Sequence, residues 1–194
     1  LVEIEGIYMI GIDISENNAN LDWQAIKDYG TELVVVRAGY GQGHEDSMFY
    51  KYAAKATEEG YQLSAYWFSY ALTVEQAAAE GYYCRQLIDS SGLGFNDIWF
   101  DMEDTAYRQN NGFDYNDVAT NTAMCDAFFD SLQLSSVGVY ANPDWFTNVI
   151  DYGYLRDRYK IWLAEYNSSA SFGYDMWQYG IRQIGGVDID CNIT

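Results

Sequence analysis

The alternation of apolar runs with helix-like segments stops at Tyr159, and this break constrains the fold more than any other feature of the chain. Before it, five strand-like runs are each followed by a helical segment. Ile7–Asp13 precedes a short helix near Asp22–Tyr29. Leu33–Arg37 carries the β-branched run of a strand buried on both faces, and a helix follows over Asp46–Glu59, ended by Gly60. Tyr61–Tyr70 leads into Thr73-Val-Glu-Gln76, a capping box that opens a helix reaching about Ser90. Asp97–Glu103, a loop through Asn110, Asn111 and Gly112, and a helix across Tyr115–Gln133 form the fourth unit. Val137–Tyr140 and a helix started by Asn142-Pro143 form the fifth. Beyond Tyr159, Lys160–Glu165, Tyr174–Tyr179 and Val187–Asp190 are short strands with no room for full helices between them.

An open, doubly wound sheet matches the first 140 residues equally well. The helix-free tail does not suit it, because parallel neighbours in such a sheet are joined by right-handed helical crossovers. The expectation is therefore an α/β chain forming a TIM-like barrel of eight strands, with helices missing around the last three. No internal repeat or low-complexity linker divides it, so residues 1–194 are expected to form one domain.

Charge limits the partners. Asp and Glu number 29 against 10 Lys and Arg, for a formal net charge of −19. Such a surface repels a phosphate backbone and an anionic membrane, so neither nucleic acid nor membrane is expected as a partner. With 49% hydrophobic and 18% aromatic residues, the acidity belongs to a folded protein and not to a disordered tail. His44 is the single histidine, which excludes a metal site built on several imidazoles. The start of the chain lacks the basic region of a signal peptide. Cys84 and Cys125 fall on apolar stripes of helical spacing and are expected as buried free thiols; Cys191 has no evident partner.

In a parallel barrel, the C-terminal ends of the strands converge on one face, where chemistry is built. Read at that position, the strands end in acids: Asp13, then Asp101 and Glu103, then Glu165, then Asp188 or Asp190. Alternation along Trp99-Phe100-Asp101-Met102-Glu103 puts both carboxylates on one side, the barrel axis, if Phe100 and Met102 face the helices. Clustered like charges raise at least one pKa and leave a proton donor near neutral pH. A proton donor beside ionised carboxylates can cleave a glycosidic bond. Tyr40, Tyr66, Trp67, Tyr70, Tyr140, Tyr166 and Trp177 lie at or near the same strand ends and suit sugar faces. Arg37, a cation ending a buried strand, calls for a carboxylate partner and is placed among the binding residues. Gly39-Tyr-Gly41-Gln-Gly43 has neither the spacing nor the Lys of a phosphate loop.

These residues resemble glycoside hydrolase family 25, the Chalaropsis-type lysozymes. The likeness runs in order through Gly11-Ile-Asp13-Ile-Ser15 with Leu21-Asp22-Trp23, Val36-Arg37-Ala38-Gly39-Tyr40-Gly41, and Ala65-Tyr66-Trp67-Phe68-Ser69-Tyr70-Ala71. It continues through Asp101-Met102-Glu103, Gly138-Val-Tyr140 with Trp145, Ile161-Trp162-Leu163-Ala164, Trp177-Gln178-Tyr179 and Val187-Asp188. The resemblance implies a (β/α)5β3 barrel and a muramidase that cuts the β-1,4 bond between N-acetylmuramic acid and N-acetylglucosamine in bacterial cell-wall peptidoglycan. It assigns Glu103 as general acid, Asp101 as its charge-stabilising partner, and Asp13 and Asp188 as the remaining acids. Reaction through the substrate's own N-acetyl oxygen is favoured, with no cofactor and no metal, in a secreted or phage-released monomer. Glu16, Asn17, Asn18 and Ala19 depart from the aromatic and Gln that many relatives carry there. Two other readings fit the residues: a carbohydrate-binding module that does not cut, and a hydrolase holding Mg²⁺ or Ca²⁺ on the acidic cluster.

Overall fold

The computed structural model describes residues 8–194; Ile7, the expected start of the first strand, lies outside them. Strand β1 (Ile10–Ile14) pairs in parallel with β2 (Leu33–Tyr40), and β2 with β4 (Gln62–Phe68). The parallel series continues through β5 (Ile98–Asp101), β6 (Val137–Ala141), β7 (Lys160–Ala164) and β8 (Met176–Ile184). Strand β9 (Val187–Ile193) then runs antiparallel to both β8 and β1 and closes an eight-stranded barrel. The expected barrel is present, with the difference that its closing strand is reversed. The two-residue turn Gly185-Gly186 makes a hairpin of β8 and β9, and a tight turn can join only antiparallel neighbours. A short β3 (His44–Glu45) folds back on the end of β2, so the glycine-rich segment is a hairpin turn.

The helices follow their local signals. Asp22 caps α1 (Trp23–Asp28) and Thr73 caps α3 (Val74–Ser91), which ends at Gly92 in the left-handed conformation, φ 66°. Asn142 caps α6 (Pro143–Asn148), with Pro143 in the first turn. Helix α2 covers Phe49–Glu58, three residues shorter at its start than expected; Asp46 instead binds Arg37 and the Glu16 and Met48 amides in the turn before it. The loop after β5 contains a short α4 (Ala106–Asn110) before α5 (Val118–Leu132), and α7 (Tyr152–Arg156) follows α6.

Two layers of apolar side chains result. The outer layer packs the strands' outward faces against the helices: Phe100 stacks on Phe128 at 4.1 Å, and Met102, Cys84 and Cys125 are fully buried there. All three cysteines are free and buried. The inner layer plugs the barrel with Leu33, Val35, Tyr66, Trp99, Trp162 and Met176. Gly138 sits opposite Trp99 in the ladder, and a Cβ there would lie 2.7 Å from Lys160 O and against the Trp99 ring. No helix among the described residues is long and apolar enough to cross a membrane.

Candidate active site

Above this aromatic plug, the C-terminal ends of the parallel strands open into a polar cleft of about 330 Å³. Asp13, Asp101, Glu103 and Asp190 line it, together with Arg37, Tyr66, Phe68, Tyr140, Trp162, Tyr166 and Gln178. The alternation that buries Phe100 and Met102 outward points Asp101 and Glu103 inward, as expected.

Asp13 is buried and accepts Nδ2–H of Asn192 at 2.8 Å and Nε2–H of Gln178 at 3.0 Å. Those donors favour its charged form. Burial and the facing Asp190 and Glu103 outweigh them and push its pKa up to about 7. Asp101 is buried, and its Oδ1 has no hydrogen-bond partner. Burial first and then Glu103 and Asp13 hold its pKa well above the carboxylate range, against the pull of Arg108 and Arg37. Burial raises Glu103 to about 7; Asp190 and Asp104 add to this, and Arg108 opposes it. Burial likewise raises Asp190, while a 2.6 Å hydrogen bond from the Tyr166 hydroxyl works the other way. Four acids this close titrate as a group, which keeps at least one proton on the cluster near neutral pH.

Other expected site residues lie elsewhere. Asp188 is exposed on the hairpin beyond the barrel rim, opposite Gln183, whereas Asp190 lies opposite Asp13 in the β1–β9 ladder. Period-two alternation gives 188 and 190 the same facing; only the height of the ladder separates them. Trp67 and Trp177 both belong to the outer core and do not reach the cleft. Each neighbours an inward residue, Tyr66 and Gln178, so it must point outward. Trp67 fills the space left by Gly39, where a Cβ would come within 2.6 Å of its ring. Tyr40 and Tyr70 flank the cleft beyond Phe68: Tyr70 meets Phe68 edge-on at 5.4 Å, and Tyr40 stacks on His44 at 5.3 Å. Glu165 caps its own loop through Ser171.

Arg37 lines the cleft, and its partners are not the clustered acids. Its Nε donates to Asp46 Oδ2 at 2.7 Å and its Nη2 to Glu16 Oε1 at 3.0 Å. Glu16 also accepts from the Ser47 amide, so the departure at this position ties the first loop to the β3–α2 turn. Asn18 holds the same loop through the Ser15 amide and the Asp188 carbonyl. Gln178, Asn192, Trp162 and Phe68 are not among the site residues expected from the sequence, although all but Asn192 fall in the motifs quoted above. Alternation from Tyr66 points to Phe68, but Asn192 needed the reversed direction of β9. Among the described residues no group of three or more His, Cys, Asp or Glu side chains is arranged to hold a metal ion.

A parallel-rich barrel with a proton-bearing carboxylate cluster and aromatic walls at the C-terminal strand ends is the architecture of a glycoside hydrolase. Residues 12–185 match the glycosyl hydrolases family 25. The chain belongs to that family, the lysozyme family its motifs resemble. Its fold is similar to that of the modular autolysin LytC from Streptococcus pneumoniae, solved with a synthetic peptidoglycan ligand (TM-score 0.86, 20% identity, 96% of this chain and 46% of that one). It is also similar to the catalytic domain of endolysin ply40 from a bacteriophage of Listeria monocytogenes (TM-score 0.76, 22% identity, 97% and 93% covered). A muramidase from Acremonium alcalophilum has TM-score 0.72 and 20% identity, with 95% and 92% covered. The chain thus spans about half the length of the autolysin. No curated protein sequence matches it.

Proposed function

We propose that the chain is a peptidoglycan hydrolase, a muramidase that cuts the β-1,4 bond from N-acetylmuramic acid to N-acetylglucosamine. The observation that carries this reading is Asp101, whose Oδ1 is buried at the cleft and has no protein partner. A buried acceptor left open is costly unless a ligand fills it, and the N–H of a sugar acetamido group is the complementary donor. In this scheme Asp101 steadies the acetamido group, whose carbonyl oxygen attacks C1. Glu103, which retains a proton near pH 7, transfers that proton to the departing glycosidic oxygen. A water molecule then opens the cyclic intermediate with Glu103 as base, and the anomeric configuration is retained. Substrate assistance of this kind is a known exception to the two-carboxylate scheme.

Asp13 and Asp190 complete the acidic set, Asp190 in the place assigned to Asp188. Tyr66, Tyr140, Tyr166 and Arg37 line the sugar path, with Tyr40 and Tyr70 extending one bank. The relatives support the substrate class: the autolysin is complexed with a peptidoglycan ligand, and others are an endolysin and a muramidase. The reading includes action outside the producing cell or after phage release, by a monomeric catalytic domain spanning the whole chain. Mass spectrometry of products from purified peptidoglycan tests it. Fragments with reducing N-acetylmuramic acid ends are expected, released equally in excess EDTA. Reducing N-acetylglucosamine ends, or no cleavage, would overturn it.

A further inference from the structure

Behind the D-x-E segment, on its outer-core side, lies a cation that the reaction scheme does not use. Arg108, on α4, is fully buried. It forms no salt bridge with any described carboxylate. Its Nη1 donates to the Glu103 main-chain oxygen, its Nη2 to Ser69 Oγ at 2.9 Å, and its Nε to Ala71 O at 3.3 Å. The guanidinium lies against the rings of Phe113 and Trp145, 5.1 and 5.2 Å from their centroids. One side chain thus joins the segment after β4 to the residue that ends the D-x-E motif.

A fully buried guanidinium without a direct counter-ion costs several kcal/mol. Main-chain oxygens could be satisfied by a neutral donor at far lower cost. The charge is therefore the feature to explain. The titratable groups facing it are Glu80 from α3, Asp101 from β5 with Glu103 and Asp104 just beyond, Tyr115 from the loop between α4 and α5, and Cys125 from α5. Glu80 is itself fully buried, which pushes its pKa up to about 7; its Oε1 accepts from the Tyr70 amide at 3.0 Å and from Gln42 at 3.2 Å, and its Oε2 closes no bond. Ser69 lies between the two side chains, bonded to Arg108 and close to Glu80.

We propose that Arg108 is a positioning residue of the reaction: it anchors the Glu103 main chain from the outer-core side, and its charge, held in no ion pair, limits how tightly Asp101 and Glu103 hold their protons. Glu80, on the far side of Ser69, opposes that charge only once it ionises, near and above pH 7. The inference rests on Asp101 and Glu103 being the reacting pair.

The test compares Arg108→Met, which removes the charge, with Arg108→Lys, which keeps it and loses the fork. In the Met variant, both limbs of the kcat/KM pH profile move up by about one pH unit, the size expected for loss of a neighbouring charge. Its kcat falls about tenfold or more while KM stays near the parent value. In the Lys variant the limbs stay at the parent positions. Met limbs that coincide with the parent's, or equal displacement in both variants, would overturn the proposal. If the Met variant does not fold, Arg108→Gln serves instead, keeping neutral donors and losing the charge: its limbs move up as expected for the Met variant, and unmoved limbs count against the idea. Carboxyl ¹³C titration of Glu103 gives the same readout without turnover. A parent that fails to cleave peptidoglycan therefore defeats the proposed function and leaves the role of Arg108 separately decided.

Discussion

Replacing Glu103 by Gln should make the protein a worse catalyst and a more stable fold, and both effects come from the same burial. The Glu103 carboxyl has an ordinary pKa of 4.5 in the unfolded chain and about 7 in the cleft. Between those values the native state binds more protons than the unfolded one, so the parent loses stability as pH rises through that window. Below it both states are protonated, and above it both are ionised with the full cost in place. The gap corresponds to about 3 kcal/mol at 1.36 kcal/mol per pH unit, which partial exposure of Glu103 reduces to about 1–2 kcal/mol. Glutamine keeps the size and has no charge to bury. Urea denaturation should find Glu103→Gln and parent equally stable at about pH 4 and the variant more stable by about 1–2 kcal/mol at about pH 8. Turnover on cell walls should fall by about 10²–10⁴-fold with loss of the general acid. An unchanged rate, or a stability difference that does not vary with pH, would refute the reasoning.

Two further outcomes separate the site from its surroundings. Asp190→Asn should lower kcat/KM on peptidoglycan by about tenfold or more, whereas Asp188→Asn should leave it within about twofold. Steady-state assays of both variants decide whether the hairpin acid or the ladder acid belongs to the site. Gly138→Ala forces a methyl group against the Trp99 ring and the Lys160 carbonyl, and calorimetry should show the melting temperature lowered by about 5 °C or more.

The site was partly legible because strand periodicity is local. Asp101 and Glu103 flank Met102, and an apolar run ahead of them suffices to point both acids away from the helices. The same rule, applied to Tyr66-Trp67 and to Trp177-Gln178, allows only one of each pair to face the cleft; aromatic character alone placed Trp67 and Trp177 there. The exchange of Asp188 for Asp190 has a different origin. Both share a facing, and their heights depend on the β8–β9 hairpin extending past the rim, a property of ladder register between segments. Arg37 needed an acid, as a buried cation does, but its partners, Asp46 and Glu16, come from loops whose approach no spacing reveals.

The order of strands and helices, the break after Tyr159, and the pairing of Asp101 with Glu103 are written in the amino-acid order, because they follow from nearest-neighbour periodicity and capping. The tertiary structure alone decided the reversed direction of β9, which brings Asn192 onto Asp13 and Asp190 beside it. It alone decided that a charge-bearing Arg108 lies behind the acids, with Glu80 28 positions earlier in the chain. Direction and depth are relations between distant segments. They are set by closure of the barrel and by the desolvation that closure imposes, neither of which any local stretch of the chain encodes.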